Sequence, residues 1–290
     1  ATTGMLSVAI GAVANLILDP VFIFIFALGI RGAAIATVLS QTLSAAFVLY
    51  FLRKKTELKV CLLSRKEIRN CRDRAKNIIS LGTAGFIMQL TNSLVTICCN
   101  NVLSVTGGDL YISVMTIVSS IRQIIDTPIH AITEGSSPVI SYNYGARRPK
   151  RVFQSWLTMS VMAILYTLLA WGVILFAPRF LIGIFSSDQA LITDAIPALK
   201  LYFGAFIFQA LQYVGQTMFK SLGKKKFAIF FSLLRKVIIV VPLTYIFPYL
   251  FHMGSDGVFL AEPVSNVLGG SACFIVMLCT VIPELKRMAK

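Results

Sequence analysis

The chain is dominated by apolar runs of about 20 residues or more, which recur eight times along its length. Roughly 20 apolar residues in a helix are needed to cross a hydrocarbon core about 30 Å thick. Charged residues make up only 13% of the chain, about half of the roughly 25% that covers a soluble domain. The runs are continuous rather than alternating, which favours helices over barrel strands, and their repetition excludes a lone signal peptide. We therefore predict an all-α polytopic membrane protein with eight transmembrane helices over residues 4–27, 31–52, 78–103, 109–133 (continuing to about 143), 152–177, 189–219, 226–250 and 257–280.

The basic residues are concentrated in every second gap between these runs. The gaps 53–76, 145–151 and 220–226, together with the tail after Pro283, hold 21 of the 27 Lys and Arg residues. Because short cytoplasmic loops are enriched in Lys and Arg, this alternation predicts that Ala1 and the C-terminus both lie in the cytoplasm. The same placement explains the net charge of +15 without a nucleic-acid partner.

Residues 53–77 form the long gap, a basic stretch that contains SRKEIRNCRDRAKNII. Ile68 and Cys71 are apolar positions on this otherwise basic segment, which suits an amphipathic helix lying on anionic lipid headgroups. A solvated linker between two halves of the protein is the alternative, and the two interpretations are compatible.

Two short segments far apart in the chain resemble each other. Residues 32–41 read GAAIATVLSQ and residues 257–266 read GVFLAEPVSN, an offset of 225 residues. Each follows a span that contains a proline, Pro20 or Pro242. Parallel repeats of this size are typical of transporters built from two similar halves. Chance similarity between small-residue segments is the alternative. If the repeat is real, six spans from about residue 78 form one half, and the other half begins about 147 residues before this chain does.

Three parts of the chain carry distinctive segments: ANLILDPVFIF with GIRGAAIATVLSQ, then TGGDLYISVMTIVSSIRQIIDTPIHAITEGSSPVISYNYGARRPKRV, and VGQTMFKSLGKKKF. These segments resemble the multidrug and toxic compound extrusion (MATE) family. The resemblance covers essentially the whole chain, with about the first third of the family's length absent. It implies twelve helices in two six-helix lobes around a central cavity, a bacterial plasma membrane, and drug export driven by H+ or Na+. On that basis residues 1–52 are the last two helices of an N-terminal lobe, residues 53–77 the linker, and residues 78–290 the C-terminal lobe, in a protein expected to act as a monomer.

The resemblance also narrows the branch of the family. Members of the NorM branch carry a glutamate on the seventh helix and an aspartate on the tenth, and those places hold Asn92 and Gln209 here. A NorM-like sodium site is therefore not expected in this half. The chain looks closer to the DinF or MepA-like branch, whose coupling acid is expected on a first helix outside these 290 residues.

One predicted helix carries four ionisable residues spaced by four: Arg122, Asp126, His130 and Glu134. On a helix this spacing places them near one face, and such groups in a membrane must face protein or water. We predict that this stripe lines the cavity and couples transport to ions. The alternative is an inert Arg122–Asp126 pair with Glu134 capping the helix or pairing with Arg147.

Two other predicted helices carry polar residues on one face. Neutral amides suit a broad pocket because they form hydrogen bonds without demanding a formal charge. Interhelical hydrogen bonding is the equally weighted alternative. The candidates for the substrate cavity are Gln89, Asn92, Thr96 and Asn100 on one helix, and Gln209, Gln212, Tyr213 and Gln216 on the other.

The remaining polar residues divide into three groups. Glu262 replaces the repeat's Thr37 and is a further candidate for contact with a cation. The cations Arg235, Lys236 and Lys200 are expected near span ends with their charges extended toward water. The residues interpreted as structural, including a predicted Asp-Pro turn, are Asp19, Pro20, Gly32, Pro128, Pro138, Asn143 and Gly145.

The sequence carries no recognisable set of residues for covalent, metal-dependent or ATP-driven chemistry. Its six cysteines lack metal-ligand spacing, so we predict a non-enzyme without metal or cofactor, coupled to H+ or Na+. The leading hypothesis is an antiporter that exports small, mostly cationic compounds. A lipid-linked oligosaccharide flippase of the same superfamily is the alternative, although its lumen should hold several cations where the stripes here are amides and acids. A membrane-embedded enzyme or sensor is the third hypothesis.

Overall fold

The computed structural model describes residues 2–55 and 72–288, and these form helices with no strand among them. They divide into two compact units, Ala1–Ala75 and Lys76–Lys290. The amphipathic helix predicted around Ile68 lies outside the described residues.

The first unit contains a helical hairpin. Helix α1 (Thr2–Pro20) continues into the π-helical turn Val21–Ile25, and α2 spans Gly29–Lys55. Pro20 cannot donate a backbone hydrogen bond, and this accounts for the widened turn that follows it. Asp19 was predicted to form a turn with Pro20, and that prediction is wrong because both residues lie within α1.

Gly32 lies where α2 passes the π-helical turn. A Cβ atom at this position would stand 2.5 Å from the carbonyl oxygen of Phe22. Only glycine allows the two backbones to approach this closely. Asp19 has a local role as well, since its Oδ1 accepts a hydrogen bond from Asn15 Nδ2 at 3.2 Å.

The second unit is a bundle of helices, several of them interrupted. The elements are α3 (Arg72–Thr106), α4 (Gly108–Gly145), α5 (Pro149–Phe176), α6 (Pro178–Gly183), α7 (Gln189–Tyr202), α8 (Phe206–Ser221), α9 (Lys225–Leu233), a π-helical segment (Leu234–Val240), α10 (Val241–Tyr249), α11 (Gly254–Ser265), a second π-helical segment (Asn266–Gly270) and α12 (Ser271–Met288).

Five helical stretches within the described residues are long and apolar enough to cross a membrane: Thr3–Ile25, Gly29–Lys54, Pro149–Phe176, Lys225–Tyr249 and Gly254–Met288. Helices α3 and α4 have sufficient length, with 35 and 38 residues. Neither is among these five stretches. The count of eight spans therefore remains a prediction.

The predicted span 189–219 is not one straight helix. Helices α7 and α8 meet at an angle of 50° and together could make a sixth crossing. The break falls at Phe203–Ala205, which includes Gly204. The sequence interpretation assigned no role to this glycine. Glycine is unfavourable in a helix interior and common where one ends.

Two apolar clusters form the core of the second unit. One joins α3, the first half of α4 and α7, with Leu103 and Phe203 fully buried. The other joins the second half of α4 with α5, α8 and α12, with Phe219 and Met277 at its centre. Helix α4 takes part in both clusters and continues through Pro128 and Pro138 as one helix. The polar face of α4 therefore runs past both apolar clusters.

Candidate functional site

The ionisable stripe of α4 begins with an ion pair. Arg122 Nε lies 3.2 Å from Asp126 Oδ2 one helical turn further on. Asp126 is buried, with 9% of its surface exposed, whereas His130 and Glu134 are exposed. The four residues therefore extend from the interior of the unit to its surface.

Asp126 receives three kinds of donor. Besides Arg122, Gln209 Nε2 lies 3.1 Å and 3.2 Å from its two carboxylate oxygens. The hydroxyl of Tyr213 donates to Asp126 Oδ2 at 3.1 Å and accepts from Gln209 Nε2 at 2.8 Å. The ring of Tyr213 packs against His130, with centroids 4.6 Å apart. The stripe of α4 and the amide face of α8 thus form one network.

Glu262 on α11 is a second and more deeply buried centre. Its Oε1 lies 2.7 Å from Arg122 Nη2, 2.9 Å from Arg235 Nη1 and 3.4 Å from Lys236 Nζ. Arg122 also donates to the hydroxyl of Tyr202. Because Arg122 contacts both carboxylates, it connects the Asp126 and Glu262 centres. We refer to Arg122, Asp126, Arg235, Lys236 and Glu262 as the charge network.

The prediction that Arg235 and Lys236 extend toward water from a span end is wrong. Their exposed fractions are 4% and 8%, and both contact Glu262. Arg235 follows Lys226 by nine residues, about 14 Å along a helix, which is close to the middle of a bilayer core about 30 Å thick. The depth of Arg235 and Lys236 in the apolar run is the sequence signal that could have identified them as buried. Lys200, the third residue of that group, is exposed.

Glu134 pairs with Lys220 and not with Arg147, the partner considered in the sequence analysis. Lys220 Nζ lies 3.2 Å from Glu134 Oε1, and both side chains are substantially exposed. Further along, Tyr144 donates to Glu284 Oε1 at 2.5 Å, and Lys224 pairs with the same carboxylate. These contacts join the ends of α4, α8 and α12.

The residues interpreted as structural at the end of α4 have local partners. Asn143 Nδ2 donates to the carbonyl oxygen of Val139 at 2.8 Å, and its Oδ1 is buried without a partner among the described residues. Gly145 is the last residue of α4.

A cavity of about 300 Å³ opens beside this network. Nine of the predicted site residues line it, namely Asn92, Thr96, Arg122, Asp126, His130, Glu134, Gln212, Tyr213 and Gln216. Gln209 is buried behind Asp126, and Glu262 behind the cations. Gln89 and Asn100 are exposed and do not line this cavity.

The cavity wall also contains cations that the sequence interpretation did not place there. Arg235, Lys236 and Lys220 line it in addition to Arg122. The description of the cavity stripes as amides and acids, which was used above against a flippase, is therefore incomplete. Within residues 2–55 and 72–288, no group of three or more His, Cys, Asp or Glu side chains is arranged to hold a metal ion. The site is suited to binding and ion pairing.

The chain matches the MatE family model over residues 85–246. It is 25% identical over 276 residues to the multidrug export protein MepA of Staphylococcus saprophyticus, which covers 94% of this chain and 59% of that protein. It is also 25% identical over 266 residues to MepA of Staphylococcus aureus strain NCTC 8325, covering 91% of this chain and 57% of the relative.

Solved structures of transporters have the same fold. MATE in the bent conformation superposes with a TM-score of 0.84 at 23% identity, over 100% of this chain and 64% of that one. MATE in complex with MaL6 gives a TM-score of 0.85 at 25% identity, over 98% of this chain and 63% of that one. The chain thus spans about three fifths of the length of the relatives it matches. Since the family model covers more than half of the chain, the protein belongs to the MatE family.

Proposed function

We propose that this chain forms part of a secondary active multidrug efflux transporter, which exports small organic compounds in exchange for H+ or Na+. In this proposal residues 1–52 belong to an N-terminal lobe, and residues 78–290 form a C-terminal lobe in a bacterial plasma membrane with the C-terminus in the cytoplasm. The supporting observation is the buried charge network beside an open cavity, in a chain otherwise apolar enough for a bilayer. Intramembrane ionisable residues mark ion and substrate pathways.

Arg122 bridges the two carboxylates of this network. It contacts Asp126 at 3.2 Å and Glu262 at 2.7 Å. A proton or Na+ that binds Asp126 competes with Arg122 for the carboxylate, and Arg122 then remains with Glu262. An ion gradient drives transport only if the ion binds the outward and inward states with different affinity. In this proposal Arg122 holds Asp126 more tightly in one facing state than in the other, and this supplies the difference.

The names of the relatives favour export over lipid flipping. The curated relatives described above are multidrug export proteins. The MatE family consists of transporters, so the protein is not an enzyme. Substrates of mostly cationic character and a monomeric state belong to the same proposal.

The proposal is tested by ethidium efflux in everted vesicles from cells that express the protein, with an imposed gradient of pH or Na+. Asp126→Asn keeps the hydrogen-bonding shape and removes the charge, so the ion-driven rate should fall at least tenfold. Asp109→Asn is the matched control, because Asp109 is an exposed acid in the first turn of the same helix. Full ion-driven efflux by both Asp126→Asn and Glu134→Gln would show that the stripe is structural.

A further inference from the structure

We propose that Arg235 and Lys236 form an anion subsite, which takes the carboxylate of an amphipathic or zwitterionic substrate. This inference rests on the proposed export function and names a class of substrate for it. It differs from the cation preference considered above, because it concerns the positively charged part of the cavity.

The charge network contains more positive than negative groups. Three cations, Arg122, Arg235 and Lys236, surround two acids, Asp126 and Glu262, which gives 3 − 2 = +1 in formal charge. The Lys220–Glu134 pair at the surface is balanced by itself. Buried charges are normally paired because desolvation is costly. Among the described residues the network thus holds one more cationic side chain than carboxylates, which leaves room for one further negative group.

The two cations of the π-helical segment have unused hydrogen-bonding capacity. Each of the three nitrogens of the Arg122 guanidinium has a partner, namely Asp126, Tyr202 and Glu262. In contrast, Arg235 Nε is buried without a partner among the described residues. In that same part of the chain Lys236 Nζ has one hydrogen bond, at 3.4 Å, although an ammonium group can donate three. Both side chains line the cavity.

The subsite is held firmly by its surroundings. Arg235 also donates to Asn266, the first residue of the second π-helical segment. Gly269 in that segment packs so closely that an added Cβ would stand 2.9 Å from Arg235 Cβ and Cγ. π-Helical turns inside helices frequently occur at functional sites. Here two of them bring adjacent cations and their supporting amide together, and Ser232, which also lines the cavity, adds a hydroxyl one turn earlier.

The size and charge of the site favour a carboxylate on a small organic molecule. A cavity of about 300 Å³ is at the lower end of the range for drug-sized ligands. The excess of one charge matches a single carboxylate, whereas a lipid diphosphate would bring two or more negative charges. The ring of Tyr213 on α8 lines the same cavity and suits a cationic end. It packs against His130, which follows Arg122 by eight residues, about 12 Å along α4.

The experiment compares two fluorescent dyes that differ only in the proposed group. Rhodamine 110 carries a free carboxylate, and rhodamine 123 is its methyl ester. Binding to the purified protein in lipid nanodiscs is followed by fluorescence anisotropy. We expect rhodamine 110 to bind about tenfold more tightly. Lys236→Gln should abolish that preference, and a melting temperature within a few degrees of the unaltered protein, followed by tryptophan fluorescence, shows that the variant is folded.

A matched control removes the same charge elsewhere. Lys226 lies ten residues before Lys236 and is exposed. The variant Lys226→Gln should keep the tenfold preference. Equal binding of the two dyes by the unaltered protein overturns the inference and leaves the export function standing. The same holds if Lys236→Gln weakens both dyes equally, or if pyrophosphate displaces rhodamine 110 and benzoate does not. Failure of both dyes to bind overturns the inference together with the proposed function.

Discussion

Replacement of Glu262 by Gln tests whether a single carboxylate holds three buried cations in place. In the structure Glu262 Oε1 lies 2.7 Å, 2.9 Å and 3.4 Å from nitrogens of Arg122, Arg235 and Lys236. The substitution retains size and hydrogen-bonding atoms but removes the charge. The formal charge of the network changes from +1 to +2, and Asp126 becomes the remaining counter-ion.

The expected cost follows from the burial of these groups. Breaking a buried ion pair by removing one partner costs about 3–5 kcal/mol, because the remaining charge is left uncompensated. An exposed pair contributes about 0–1 kcal/mol. Glu134→Gln is therefore the matched comparison, since the Glu134 side chain is 57% exposed and pairs with Lys220. Glu262→Gln should lower the free energy of unfolding by several times the effect of Glu134→Gln.

Thermal unfolding in detergent, monitored by tryptophan fluorescence, measures both variants. Trp156 and Trp171 both lie in α5 and report on the second unit. The double variant Glu262→Gln with Lys236→Gln restores the formal charge of +1 and should recover part of the loss, since residues in one network couple by about 0.5–3 kcal/mol. Equal melting temperatures for Glu262→Gln and Glu134→Gln would refute the assignment of Glu262 as the counter-ion of these cations.

Two glycine substitutions test the close backbone approaches, one in each unit. Gly32→Ala should lower the thermal stability of the first unit, because its Cβ would stand 2.5 Å from the backbone oxygen of Phe22. Gly4→Ala is the control, and it should be neutral or stabilising in the same thermal unfolding assay because nothing lies within 4 Å of its Cβ. Gly269→Ala should cost about 1–3 kcal/mol by overpacking and weaken rhodamine 110 binding by displacing Arg235; unchanged affinity would show that the position of Arg235 is unimportant for the ligand.

The sequence predicted most of the helices from the length of its apolar runs, and part of the site from periodicity. Spacing by four placed Arg122, Asp126, His130 and Glu134 on one face of a helix, and in the structure all four line one cavity. Regular helical geometry makes such local patterns readable. Whether these residues carry ion coupling stays a prediction.

The partners of Glu262 could not be obtained in the same way. Arg122 is 140 residues away in the chain and Arg235 is 27 residues away, and they reach Glu262 from different helices. Local hydropathy gives no information on which helices are neighbours. The sequence interpretation also assigned Arg235 to a span end, although its depth in the apolar run argued for burial.

The interrupted helices were the other feature that pattern analysis missed. The bend between α7 and α8 follows Gly204, and glycine is common enough in membrane helices that its presence alone does not predict a break. The π-helical segments are set by packing as well, as the close contact of Gly269 with Arg235 shows. A π-helical turn has no characteristic residue by which it could be recognised in the sequence.

The geometry of Arg122 links the two proposals to each other. A substrate carboxylate bound by Arg235 and Lys236 draws both cations away from Glu262, and the freed carboxylate then interacts more strongly with Arg122, which is already 2.7 Å away. Arg122 in turn releases Asp126, which becomes available to a proton or Na+. Coupling between two binding sites is reciprocal, so the ion that occupies Asp126 must promote binding of the anionic group by the same factor. An exporter that exchanges substrate for an ion must bind the two in different facing states. This requires that the contact of Arg122 with Asp126 differ in strength between the outward and inward states.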